Sequence, residues 1–208
     1  KAKYLRAFQQ GICAAKTTIT VSSYMAREYL ARFGGNYEVL LNSVKDPMIQ
    51  SKRLGKNITL LFAGNISINR WKTLLAIGMA LDNITLKGKT GFAQLRIYTP
   101  NPIDDETRKQ LEKSSSIIYG GSLNSQELRM AIESADFLVH VESFDEKMKK
   151  ITRLSISTKI PEYLASNRCI FAVGPKDIAS IRYLQENNAA IVSNSEQPES
   201  VKNDLLRL

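Results

Sequence analysis

Ser157, Thr158, Lys159 and Glu162 fall within six residues of one another in the stretch "RLSISTKIPEYLASNRCIFAVGP" (153–175). Pro161 fits the first turn of a helix, where its missing N–H costs nothing. Ser157 and Thr158 are N-cap candidates that bring hydroxyls and free backbone N–H groups to that end. Lys159 is out of place there, since the helix dipole disfavours a cation at its N-terminus by roughly 0.3–1 kcal/mol. A phosphate nearby would reverse that cost, and Glu162, about a turn in, is placed to accept from a ribose diol. A plainer reading stays open, in which Glu162 complements the dipole and Lys159 is solvated.

A second cluster is the turn "FAGNISINRWK" (62–72), which carries Gly64 and Asn65 and then Arg70 and Lys72. Backbone N–H groups at a helix start attract phosphate, and a guanidinium adds charge-assisted bonds. The pattern is neither GxGxxG nor a Walker loop, and a tight turn with surface cations remains the alternative. His140 is the single histidine and lies in the apolar run "FLVHV", where a packed residue is expected rather than a catalyst. Without it no Ser/His/Asp set can be assembled. Glu142, Asp145 and Glu146 mix with Lys147, Lys149 and Lys150 in a stretch read as a charged loop, either solvated or closing on a ligand. Cys13 and Cys169 stand in unrelated contexts, with no CxxC or Cys/His spacing, so a zinc site is not expected. There is no Asp-x-Asp either, and no metal or resident cofactor is called for.

The elements that must position these residues alternate. Strands are expected over 17–22, 37–41, 58–63, 95–99, 116–119, 137–141, 170–173 and 189–192. Helices are expected over 2–14, 24–33, 70–81, 104–113, 125–133, 158–166, 178–186 and 199–207, and residues 142–156 read as a polar loop. This order defines an α/β protein with a doubly wound, mostly parallel, Rossmann-like sheet. Ligands in such sheets sit at the carboxyl ends of the strands. The candidate site is therefore Gly64, Asn65, Thr99, Gly120, Gly121, Glu142 and the segment 157–162. A basic, polar run with Pro47 and Gly55 divides the chain, giving residues 1–45, a linker 46–56 and a main domain 57–208.

The 208-residue chain is 43% hydrophobic and carries a net charge of +9. Residues 1–56 hold ten Lys/Arg against three Asp/Glu, and the remainder nineteen against seventeen, so the excess lies in the first quarter. That weakens a nucleic-acid role for the main domain and leaves a basic face near the start for anionic lipid or a phosphorylated acceptor. Tyr4, Leu5, Phe8 and Ile12 share one face of the first helix, read as core contact rather than membrane contact. No apolar run approaches the roughly 18–20 residues that span a bilayer. With no signal peptide and reduced thiols expected, a cytoplasmic setting follows, at most at the inner membrane face. Opening on Lys-Ala-Lys rather than Met, the chain reads as part of a longer protein.

Three stretches resemble GT-B glycosyltransferases of the family 4, or group 1, type, chiefly their C-terminal donor-binding domain. "TVSSYMAREYLARFGGNYEVLLNSV" looks like the last βαβ unit of the family's N-terminal domain. "ITLLFAGNISINRWKTLLAIGMAL" is similar to its first C-domain strand, glycine turn and helix. "YGGSLNSQELRMAIESADFLVHVES…STKIPEYLASNRCIFAVGP", above all Ser-Thr-Lys-x-x-Glu-Tyr-Leu-Ala, resembles its sugar-nucleotide site. The likeness covers most of the chain.

The resemblance implies one half of a GT-B fold and transfer of a sugar from a nucleotide-diphosphate sugar, as co-substrate, to a polysaccharide or glycolipid, with retention of configuration. By that likeness Gly64 and Asn65 approach the donor or the acceptor-side cleft, Asn65 standing where the family often has arginine. Arg70 takes the place of a diphosphate-binding lysine. Ser157, Thr158 and Lys159 neighbour the diphosphate, and Glu162 holds the ribose. Thr99 to Pro102, with Gly120 and Gly121, edge the base pocket. Leu154 stands eight before Glu162 where the family has glutamate, while Glu142-Ser-Phe resembles that glutamate's context. Asn167 and Cys169 replace the usual glycine and proline. Residues 1–45 would be a remnant of the acceptor-side domain, and the chain alone would bind donor without turnover. Two other readings remain: a non-catalytic nucleotide- or nucleic-acid-binding Rossmann-like module, and a sugar-nucleotide epimerase, which would want more carboxylates and histidines.

Overall fold

The computed structural model describes residues 2–44, 55, 57–85 and 93–208. Six strands form a wholly parallel sheet: β3 (Ile58–Ala63), β4 (Ala93–Tyr98), β5 (Ile117–Gly121), β6 (Phe137–Val141), β7 (Cys169–Val173) and β8 (Ile191–Ser193). Their order is β5-β4-β3-β6-β7-β8. The chain winds outward from β3 in one direction, returns, and winds outward from β6 in the other. The order therefore reverses between β3 and β6, the switch point of a doubly wound sheet.

Period-2 alternation sorts the strand side chains into two cores. Leu60 and Phe62 of β3, Phe137, Val139 and Val141 of β6, and Phe171 and Val173 of β7 pack on one side. There they meet Leu74, Ile77 and Leu81 of α3 (Arg70–Thr85) and Val201 and Leu205 of α9 (Pro198–Leu205). Leu61, Leu138, Ile170 and Ala172 face the other side, against Ile132 of α5 (Ser125–Ser134), Ile160 and Tyr163 of α7 (Lys159–Ala165), and Ile181 and Leu184 of α8 (Ala179–Glu186). Strands covered on both faces read as near-continuous apolar runs, which is how "ITLLFA" and "CIFAV" appear.

The first 44 residues make a separate two-stranded parallel sheet, β1 (Thr18–Thr20) with β2 (Tyr37–Val39), and two helices, α1 (Ala2–Ala14) and α2 (Ser23–Phe33). Ser22 caps α2, its hydroxyl accepting from Met25 N–H at 3.0 Å. Among the described residues, hydrogen bonds and an ion pair join this unit to the main sheet. Ser22 Oγ donates to the Leu154 carbonyl, Arg153 pairs with Glu28 at 2.6 Å, and the Tyr24 hydroxyl bonds the Glu186 carboxylate. The Tyr24 ring also carries the guanidinium of Arg182 at 4.6 Å. The expected linker, apart from Gly55, lies outside the described residues.

Two expectations are corrected. The apolar face of α1 is buried only in part: Ile12 is buried, but Tyr4 and Leu5 are 82% and 58% exposed, and the half-exposed Phe8 meets Tyr29 and Phe33 edge-on. The polar stretch after β6 is not all loop. It contains α6 (Glu146–Thr152), capped by Asp145, which accepts from Lys147 and Met148 N–H, and its last turn holds Lys149 and Lys150 as the dipole favours. The remaining helix, α4 (Asp105–Leu111), starts at the Asp104 cap.

Candidate functional site

A cavity of about 450 Å³ opens at the carboxyl ends of β3, β4 and β6. Gly64, Asn65, Arg70, Thr99, Glu142, Ser157, Thr158 and Lys159, all singled out from the sequence, line it. Gly120, Gly121 and Glu162 do not. Ala63, Tyr98, Pro100, Leu123, Leu128 and Ser155 complete the wall. One side is thus cationic and hydroxylic, and the other aromatic and aliphatic.

The turn after β3 is tied down from two directions. Gly64 N–H donates to the Tyr98 carbonyl at 3.0 Å. The buried Tyr163 hydroxyl accepts from Ala63 N–H at 3.2 Å and donates to the Ala63 carbonyl at 3.4 Å, joining α7 to the end of β3. Burial pushes that hydroxyl well above the usual tyrosine range. Ile68 and Asn69 then take left-handed conformations, φ 57° and 63°, and α3 begins at Arg70. Such a φ is uncommon for a β-branched residue and marks a tightly specified turn.

Both cations of the cavity are paired. Arg70 forks onto Glu142, with Nη2 3.0 and 2.9 Å from the two carboxylate oxygens and Nε 3.3 Å from Oε2. Glu142 is almost wholly buried. Its Oε1 also accepts from Ser180 Oγ at 3.2 Å, and Ser180 lies 3.0 Å from His140 Nε2. His140 is therefore packed, as read from the sequence, and burial draws its pKa down. Lys159 Nζ is 2.9 Å from Glu162, one turn along α7. The protein itself supplies a counter-charge to Lys159 in Glu162, which lines a neighbouring groove with Ser125 and Arg129. Thr158 makes no side-chain cap bond, and Ser157 Oγ accepts from Lys159 N–H at 3.3 Å.

Gly120 and Gly121 belong to β5 rather than to the turn after it. Their service is indirect. A Cβ on Gly120 would lie 2.2 Å from the Tyr98 ring, so the bare backbone is what lets that ring lie where it lines the cavity. Sequence reasoning missed Tyr98, Ser155 and Ser180. Tyr98 follows an alternating strand into Thr99-Pro100 and was in view; Ser180 carries no local signal.

No protein-family model and no curated protein matches the chain. Solved structures do. S. aureus TarM, in a complex with fondaparinux, α-GlcNAc-glycerol and UDP, aligns with a TM-score of 0.70 and 13% identity, over 99% of this chain and 39% of TarM. A trehalose-6-phosphate synthase, studied for glycosyl transfer with retention, gives 0.66 and 13%, over 97% of this chain and 55% of its own. The pneumococcal O-GlcNAc transferase GtfA, in complex with UDP and GlcNAc, gives 0.65 and 13%, over 97% and 39%. At such identities the likeness is one of fold. The chain has the Rossmann-like architecture of one half of a GT-B fold, and it spans well under two-thirds of each of these neighbours.

Proposed function

We propose that this chain is the donor-binding part of a GT-B glycosyltransferase of the family 4 type, comprising its C-terminal domain and, in residues 1–45, a remnant of the acceptor-side domain. It takes a nucleotide-diphosphate sugar as co-substrate, without a resident cofactor, and serves transfer to a polysaccharide or glycolipid. The observation that carries this reading is the cavity at the switch point, which sets Arg70, Lys159 and two hydroxyls opposite an aromatic and aliphatic wall. The apolar wall suits a base, and the cations suit a diphosphate. As the bond between sugar C1 and the phosphate oxygen breaks, the electron pair leaves with the diphosphate, and the two cations stabilise the charge that develops. Lys159 lines both the cavity and the adjoining groove that holds Glu162, and in this reading Glu162 exchanges part of its lysine contact for ribose hydroxyls. UDP in the TarM and GtfA complexes favours a uridine donor, and the synthase studied for transfer with retention favours a retaining outcome.

The acceptor side is supplied by the rest of the protein, so the chain binds donor and does not turn over. The exposed Tyr4, Leu5 and Phe8, on a helix without acidic residues, are in keeping with a peripheral contact to anionic lipid at the cytoplasmic membrane face. Among the described residues no helix is long and apolar enough to cross a membrane.

Calorimetric titration with UDP, GDP, ADP and CMP tests the reading. Micromolar affinity for one nucleoside diphosphate is expected, falling at least tenfold, about 1.4 kcal/mol, in a Lys159→Ala, Glu162→Ala variant. Absence of nucleotide binding by the folded chain would overturn it, and steeply salt-dependent polyanion binding in the same sample would support a nucleic-acid module instead.

A further inference from the structure

Glu142 lines the cavity, yet its carboxylate is already full. An ionised carboxylate offers about four acceptor sites. Three are taken by contacts from Arg70 Nε and Nη2, and the fourth by Ser180 Oγ. Arg70 is not full. A guanidinium has about five N–H donors; Nε and Nη2 face Glu142, Nη1 reaches the Asn65 carbonyl at only 3.5 Å, and the rest are left for a ligand. The arrangement continues inward. A carboxylate only accepts, so Ser180 must spend its proton on Glu142 and must itself accept from His140. That fixes the neutral imidazole with its proton on Nε2, 3.0 Å from Ser180 Oγ. Space for the chain of contacts is kept by Gly174, where a Cβ would come 2.9 Å from Glu142 Cβ.

We propose that His140 and Ser180 are positioning residues that act through Glu142 to hold Arg70 as the anion-contacting group of the cavity, with Glu142 itself making no contact to the donor. The identity of the anion, a nucleoside diphosphate, rests on the donor-binding reading above; the positioning does not. Arg70 is a long side chain at the start of α3, and without a fixed partner it would sample many rotamers. The His140–Ser180 pair, rooted in β6 and α8, removes that freedom from below the cavity floor.

Two measurements on the chain test this. In calorimetry, Ser180→Ala lowers UDP affinity about fivefold to tenfold, while affinity for uridine, which has no phosphate, moves far less. In an Arg70→Ala background the same substitution costs nothing further. His140→Gln, which keeps a donor toward Ser180, retains most of the affinity; His140→Phe does not, and serves as the second variant should Ser180→Ala fail to fold. An equal loss in both backgrounds, or no loss, overturns the proposal. The second readout needs no ligand. The Arg70 Nε–H should be protected from solvent exchange in NMR spectra, and that protection should collapse in Ser180→Ala and His140→Phe. If the parent chain binds no UDP, the donor reading falls, and the exchange measurement alone decides: collapse upholds the positioning role and unchanged protection overturns it.

Discussion

Gly120 and Tyr98 form the contact on which the apolar wall of the cavity depends. With a Cβ placed 2.2 Å from the ring, Gly120→Ala must displace Tyr98 or the edge strand itself. Overpacking of this kind costs about 1–3 kcal/mol. We expect a lower melting temperature and weaker UDP binding together, and an unchanged melting temperature would show that the ring moves freely. His140 gives a second prediction. Burial, first, and the Arg70 charge lower its pKa, while Glu142 raises it in part; Lys159 and Tyr163 line the same small space beside it. Below its ordinary value of 6.5 the unfolded chain takes up a proton that the folded chain refuses. Stability therefore falls as pH drops through that value and continues to fall toward the depressed folded value. Urea unfolding between pH 5 and 7 (about the range in which a histidine acts) should show a shallower slope in His140→Gln. An identical slope would mean that other groups set the dependence.

At the scale of elements, α7 is held by a hydroxyl as much as by its apolar face. Tyr163→Phe leaves the volume almost unchanged but strands the Ala63 N–H, at a cost of about 1–3 kcal/mol in urea unfolding. Because the same bond joins α7 to the turn that carries Gly64 and Asn65, UDP affinity should fall with it. No change in either would mean that the packing of Ile160 and Tyr163 suffices. The elements also show what was legible beforehand. The buried strands, their order along the chain and the glycine turn after β3 announce themselves through apolar runs and breakers, and eight of the eleven residues taken for the site do meet at one cavity. Helix α6 was not legible, because its acidic start and basic end read as an unpatterned charge run, although Asp145 followed by Glu146 is a cap signal. Glu162 lies in the adjoining groove rather than in the cavity itself, because a helix-start argument fixes a residue's position along the axis and not its direction around it. The Glu142–Ser180–His140 contacts join the end of β6 to α8, about forty residues on, and no local pattern encodes them.

The described residues form two sheets, the smaller joined to the larger by polar and ring contacts. The smaller one leans on the larger through Tyr24, Arg153 and Ser22; Ser22 and Tyr24 are both buried, and the Tyr24 hydroxyl is pushed up to about 12 by burial and by the Glu186 bond. In the larger sheet, β3 and β4 are neighbours separated by one crossover, as are β6 and β7. The β3–β6 pairing is different in kind: Leu60 lies beside Phe137 and Leu61 beside Leu138, across all of α3, β4, α4, β5 and α5. Closing so long a stretch of chain is entropically costly and slow, and non-local parallel pairing forms late. The cavity opens over that same seam. Time thus enters the design of the site: Arg70 and Glu142, one on each flank of the seam, cannot meet until the two wings of the sheet have come together. Refolding followed by tyrosine fluorescence and by nucleotide capture should show binding competence returning only with the slowest phase; its return in an earlier phase would reverse this order. A ligand of this cavity is then a late arrival, one that selects finished molecules and has no part in making them.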